Sequence, residues 1–173
     1  TPSSIDARDN GPIDPEWFRT IATPGWQRRW IENFTLNWEG VSGLISEEIE
    51  DLVQDGWTDL GRRMRAALAD VPREELTPER LQEAYEAADF AKMDAIRSRV
   101  DALVDDPATA PNLKAWYRQL CKRPCFHDEY LQAFNRRNVH LIDTDGKGVE
   151  RISSRGVVAA GKEYEVDLII YAT

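Results

Sequence analysis

One stretch constrains the fold more than any other. Thr77-Pro78 reads as an N-cap followed by proline at the first helical position, and an apolar pattern of helical period then runs to about Val104. Leu81, Tyr85 and Ala88 mark its first apolar face, and Met93, Ile96, Val100 and Leu103 mark a second. Asp105-Asp106-Pro107 ends it. This is the longest helix the sequence predicts, and its apolar stripe has to be buried against other elements.

The preceding sequence predicts shorter helices. Residues 1–12 read as coil, because Pro2, Ser3, Ser4, Asp9, Asn10, Gly11 and Pro12 all favour turns. Asp14-Pro15 is a second cap-plus-proline start, with a helix through Ile21, and Thr23-Pro24 opens another. The latter carries Trp26, Trp30, Phe34 and Trp38 at spacing four, which puts them on one face. The stripe reads first as core; the wall of a substrate channel and, with Arg28 and Arg29, a membrane-surface helix are the alternatives. An acidic helix is expected from Ser46 to Gly56, with Glu47, Glu48, Glu50 and Asp51 on a solvated face. Trp57 to Ala69 reads as a helix that places Leu60, Met64, Ala67 and Leu68 on one side, and Leu113 to Leu120 as a short one.

Beyond residue 137 the pattern changes. Asn138 to Ile142 is strand-like, with His140 a partly buried strand residue, and Asp145-Gly146 is a turn signal. Val149 to Ile152, Val157 to Ala160 and Tyr164 to Val166 read as short antiparallel strands. Leu168 to Ala172 is an apolar run, as in a strand covered on both faces. The chain starts without Met and stops inside that run, and is read as a piece of a longer protein.

Composition mainly excludes. A net charge of −9 over 173 residues argues against a nucleic-acid binder that tracks phosphates. No apolar run reaches membrane-spanning length, membrane association is not expected, and Thr1-Pro2-Ser3-Ser4 is no secretory signal. The only cysteines, Cys121 and Cys125, read as free thiols of a cytoplasmic protein, and with His127 they lack the spacing and the fourth ligand of a zinc site, so no metal is expected. Asn33-Phe34-Thr35 matches a glycosylation sequon and is read as chance. There is no G-x-G-x-x-G, no P-loop and no Ser-His-Asp set, so the chain holds no complete active site.

Lys122-Arg123 is the pair that carries chemistry. It follows a predicted helix and precedes Pro124, which puts it in a loop. Lysine is a compact cation suited to a phosphate, whereas arginine keeps its charge at any working pH and can stabilise a developing anion. By itself the dipeptide reads as two surface charges. Its surroundings add more: Cys121-Lys122-Arg123-Pro124, then Tyr130, Phe134-Asn135-Arg136, Asn138-Val139-His140-Leu141-Ile142-Asp143, and finally Asp167-Leu168-Ile169-Ile170-Tyr171-Ala172-Thr173.

This string resembles the class B flavoprotein monooxygenases of the Baeyer–Villiger type. That family has a G-x-K-R loop, an aromatic-rich helix, an F-N-R-x-N-V segment, a small β-meander and a strand ending in D-x-[IV]-[IV]-x-A-T-G. Thr1-Pro2 resembles the end of the family's Q-R-T-P segment, and Asn10-Gly11-Pro12 with Asp14-Pro15 its continuation. The long, mostly helical stretch between Thr1-Pro2 and Lys122 is similar to that branch's insert. Cys121 and Pro124 depart from many members.

The resemblance implies an α+β fragment. A mostly helical insert over about residues 13–120 would precede a β-meander and a terminal strand belonging to the NADP-binding, Rossmann-like domain of a flavoprotein with two dinucleotide domains. Its division would fall into residues 1–112, the helical insert of the NADP-binding domain, and 113–173, the C-terminal part with the strand returning to the FAD domain. The implied parent uses FAD and NADPH to place one oxygen atom from O2 beside a ketone carbonyl through a C4a-peroxyflavin. Arg123 would be the catalytic cation, stabilising that anion and its ketone adduct. Lys122 and Thr1 would hold the 2′-phosphate of NADP, and Ala172 and Thr173 would belong to the interdomain motif. The isolated chain is expected to be inactive and to bind neither cofactor tightly. Two other readings stand beside this one: an S- or N-oxidising flavin monooxygenase acting on heteroatom substrates, and a non-catalytic helical interaction module.

Overall fold

A computed structural model describes residues 2–8, 11–41 and 49–172. The chain is α+β, with the elements β1 (Ile5–Asp6), α1 (Pro15–Ile21), α2 (Trp26–Val41), α3 (Asp59–Leu68), α4 (Pro78–Leu103), β2 (Cys125–Phe126), β3 (Arg151–Ile152), β4 (Gly156–Ala159) and β5 (Lys162–Glu165). Ser46, Glu47 and Glu48 of the predicted acidic helix lie outside the described residues, and its remainder, residues 49–56, is not helical but bends and turns.

α4 is the spine. Thr77 caps it, its hydroxyl accepting from the Arg80 N–H at 3.3 Å, and Pro78 occupies the first turn, where a missing N–H costs nothing. Three apolar clusters follow one another along it. Leu60 and Met64 of α3 pack on Ala88, with Tyr85 and Leu120 beside them. Met93 and Ile96 meet Ala115 and Tyr117. Val100 and Val104 meet Ala110, Leu113 and Leu131. Each large side chain removed from water in this way contributes about 1.5–3 kcal/mol.

The aromatic stripe of α2 is not core. Trp26, Trp30 and Phe34 are only half-buried, Trp38 is 40% exposed, and none joins a core cluster. The rings cover one another instead: Trp26 meets Trp30 edge-on at 6.0 Å, and α1 adds Trp17 against Trp30 and Phe18 against Trp26. The spacing rule held, but spacing does not supply a layer to pack against. α1 begins where predicted, Asp14 accepting from the Glu16 N–H at 2.9 Å, whereas α2 starts two residues after Pro24.

Other predicted elements are shorter or absent. α3 begins at Asp59 rather than Trp57, and Ala67 faces solvent. The helix expected over Leu113 to Leu120 is two 3-10 turns, Ala110–Leu113 and Gln119–Cys121, joined by an extended segment. The meander is present as β3-β4-β5, antiparallel, with Arg151 opposite Val158 and Val157 opposite Tyr164. Asp145 and Gly146 turn with φ of 51° and 72°. Residues 138–142 and 168–172 are irregular, His140 is exposed rather than partly buried, and Leu168, Ile170 and Tyr171 are more than 70% exposed. A strand exists only against a partner, and no element among the described residues offers these runs an edge.

One pairing had no forecast. β1 and β2 form a parallel pair, with Ile5 opposite Cys125 and Asp6 opposite Phe126. It brings the beginning of the chain beside the segment that follows Arg123.

Candidate functional site

The Lys122-Arg123 loop is fastened to α4 on both sides. Ahead of it, residues 114–119 run along the helix with a polar tie at nearly every turn. Lys114 pairs with Asp101 at 2.7 Å, and Arg97 donates to the Ala115 carbonyl at 3.1 Å while lying over the Trp116 ring. The buried Gln119 N–H donates to Asp89 Oδ1 at 2.9 Å, and Arg118 pairs with Glu86 at 2.5 Å. These ties account for the two buried charges in the apolar face of α4, since Asp89 serves the loop and Lys92 serves β1. After the loop, the Cys125 N–H donates to the Ser4 carbonyl at 3.3 Å and the His127 N–H to the Asp6 carbonyl at 2.9 Å. Arg99 of α4 donates to the Ile5 carbonyl at 3.4 Å and to the His127 carbonyl at 3.1 Å, so it binds both strands.

Lys122 and Arg123 are exposed between these anchors, while Pro124 is buried. The Lys122 ammonium lies 4.9 Å from the centre of the Tyr117 ring, and the Tyr117 hydroxyl accepts from the Ser4 N–H at 2.8 Å. The ring therefore steadies a cation on one face and the first strand with its hydroxyl. Ser4 Oγ and Gln119 Oε1, on the two segments flanking the loop, are buried without a partner among the described residues. Thr1 and Thr173 lie outside the described residues, and Ala172 is exposed in irregular chain. The described structure thus joins Lys122 and Arg123 in one loop and leaves Ala172 apart from it. Such a loop presents one compact and one planar cation to a bound anion, on a rigid base.

A polar pocket of about 300 Å³ lies beside this anchor, with Asp6, Arg8, Asp55, Asp59, Arg62 and Lys92 among its walls. Lys92 Nζ sits 2.6 Å from Asp6 Oδ2 and 2.7 Å from Asp59 Oδ2, with 8% of its side chain exposed. Burial alone would raise the Asp59 carboxyl; hydrogen bonds and charge from Lys92 and Arg63 outweigh it and hold the group below its ordinary value. Asp51 behaves likewise: burial opposes ionisation, but the Gln54 N–H, Thr58 and Arg62, the last at 2.6 Å, keep its carboxyl low. Asp51 is buried and non-helical, unlike the solvated face expected of it, and its turn holds Gln54 at φ 50°. The sequon residue Asn33 is engaged internally, donating to the Glu50 carbonyl at 2.6 Å and accepting from the Leu52 N–H. Sequence reasoning missed the ion network. Its one signal was Asp89 and Lys92 standing among the apolar positions of α4.

No family model matches the chain. Curated relatives match it over its whole length. A Baeyer–Villiger monooxygenase of Stachybotrys chlorohalonatus is 52% identical across all of this chain and 27% of its own, and pentalenolactone D synthase of Streptomyces exfoliatus is 50% identical across all of this chain and 29% of its own. Among solved structures, the polycyclic ketone monooxygenase from the thermophilic fungus Thermothelomyces thermophila superposes with a TM-score of 0.74 at 40% identity, over 96% of this chain and 27% of that one. OTEMO, solved in complex with FAD and NADP, shares the fold with a TM-score of 0.61 at 19% identity, over 100% of this chain and 32% of that one. Along its whole length the chain matches one segment of Baeyer–Villiger monooxygenases, and it spans a little over a quarter of the length of the relatives it matches.

Proposed function

We propose that the enzyme containing this chain is an FAD- and NADPH-dependent monooxygenase that inserts one O2-derived oxygen next to a ketone carbonyl. The observation that carries this reading is 52% identity to a Baeyer–Villiger monooxygenase over every part of the chain. FAD, when bound, supplies oxygen activation, and NADPH supplies the electrons. The residues of this chain then bind and orient. Arg123, exposed on an anchored loop, is the catalytic cation: its charge faces negative charge that develops on the ketone oxygen. Lys122, set on the Tyr117 ring, takes the 2′-phosphate of NADPH, with Thr1 as a hydroxyl near the same phosphate.

On this reading residues 1–112 are a helical insert of the NADP-binding, Rossmann-like domain. Residues 113–173 are the C-terminal part of that domain, with Ala172 and Thr173 in the motif returning to the FAD domain. The β1–β2 pairing supports Thr1's role, because it sets residues 4–6 against the strand that follows Arg123. Substrates are small ketones. No feature of the loop favours a heteroatom-oxidising enzyme or a stand-alone module over this reading.

The test is turnover of the full-length enzyme under ¹⁸O2 with a cyclic ketone and, separately, a sulfide. Ring-expanded ester carrying one ¹⁸O is the expected product. Sulfoxide alone would overturn the assignment. In the same enzyme Lys122→Ala raises KM for NADPH well above any change in KM for NADH; equal effects would remove the phosphate role.

A further inference from the structure

We propose that Lys92 and Asp6 are positioning residues for Arg123: the buried Lys92–Asp6 contact sets where β1, and through it β2 and the Arg123 loop, sit on α4. The proposal rests on the reading of Arg123 given above. Its geometry is a short chain of contacts. Lys92 projects from the buried face of α4 and reaches Asp6 at 2.6 Å. Asp6 stands opposite Phe126 in the parallel pair, and its carbonyl accepts from the His127 N–H at 2.9 Å. Arg123 leads into that strand through the buried Pro124.

The other oxygen-bearing partner of Lys92 closes the loop of contacts. Asp59 opens α3, 2.7 Å from the same ammonium, just after the turn that seats Phe126. In that turn Gly56 lies so close to the Phe126 ring that an added Cβ would collide with it, and Trp57 packs on the ring at 5.2 Å. One lysine therefore fixes both the strand and the seat of the residue paired with it.

Packing does not supply the same constraint. The polar pocket separates residues 6–8 from residues 54–56, so that side of β1 has no close-packed neighbour. A buried ion pair returns little net stability after desolvation, but its length and direction are defined. An apolar pair of the same volume would fill the space and leave the strand edges to the longer Arg99 bonds at the Ile5 and His127 carbonyls, 3.4 and 3.1 Å. Misplacing a catalytic group by about 1 Å costs up to about 10²-fold in rate.

The experiment uses the full-length enzyme and counts oxygenated product per NADPH consumed. NADPH that is oxidised without oxygenation delivers its two electrons, with two protons, to O2 as hydrogen peroxide, which is assayed alongside. Asp6→Asn keeps the shape of β1 and removes its charge; it is expected to consume NADPH while yielding about tenfold less product per NADPH. Val158→Ala opens a gap in the buried face of the β3–β5 meander, which is not paired with β1, and is expected to lower Tm with the ratio unchanged. A folded Asp6→Asn enzyme with an unchanged ratio overturns the proposal, as does an equal fall in both variants. If Asp6→Asn does not fold, Lys92→Arg keeps the buried charge with a longer head, and an unchanged ratio there overturns it equally. Arg123→Ala is run in parallel: if that variant still oxygenates normally, the reading of Arg123 fails and the failure is not one of positioning.

Discussion

The two helical halves of the molecule reverse what their compositions suggest. α1 and α2 hold Trp17, Trp26, Trp30, Phe34 and Trp38, yet they contribute nothing to the core clusters. α3 and α4 have no tryptophan, carry buried Asp89 and Lys92, and build all the packing around which the loop of Lys122 and Arg123 is hung. The lesson concerns partners. An amphipathic face becomes core only where a second layer meets it, and α4 has α3, residues 110–121 and residues 131–134 along its length, whereas the aromatic stripe of α2 meets α1 and its own rings, and α2 is tied to α3 and to residues 50–52 through polar Asn33 and Asn37.

The comparison breaks first at Lys92. Lys92→Met leaves Asp6 and Asp59 with an uncompensated buried charge and is expected to destabilise the enzyme by about 3–5 kcal/mol, read by denaturant unfolding. Met93→Ala, at 1% exposure in the middle cluster, is expected to cost about 2–5 kcal/mol through transfer and cavity terms. Acid acts next. Asp51 and Asp59 have folded-state values below their ordinary ones, so their stabilisation is complete above the unfolded value and is lost as pH falls through the folded one. Unfolding midpoints should fall on acidification, and Asp51→Asn should flatten that fall. The smallest effect is in the aromatic half: Trp38→Ala is expected to cost about 1 kcal/mol. A loss there as large as that of Met93→Ala would show the stripe to be buried in the full-length enzyme.

Much of the fold was legible where the signal is local. Asp14-Pro15 and Thr77-Pro78 mark helix starts because cap and proline act within one turn, and Asp145-Gly146 marks its turn through φ. Signals that depend on distant partners were misread. Residues 138–142 and 168–172 have the composition of strands but no edge among the described residues. Leu113 to Leu120 is drawn out of helix by its ties to Asp101, Arg97 and Asp89. Lys122 and Arg123 were found through the string around them. The Lys92 network was not, because a lysine in a helical seam does not reveal that an aspartate from β1 lies across from it.

The most direct test of the account is the Arg123→Ala variant of the full-length enzyme, assayed for ketone oxygenation. The account predicts a fall in kcat of about 10²–10³-fold, as for loss of one preorganised charge at a developing anion, in a protein whose Tm is unchanged because Arg123 is exposed. Ketone oxygenation at the parent rate would contradict it.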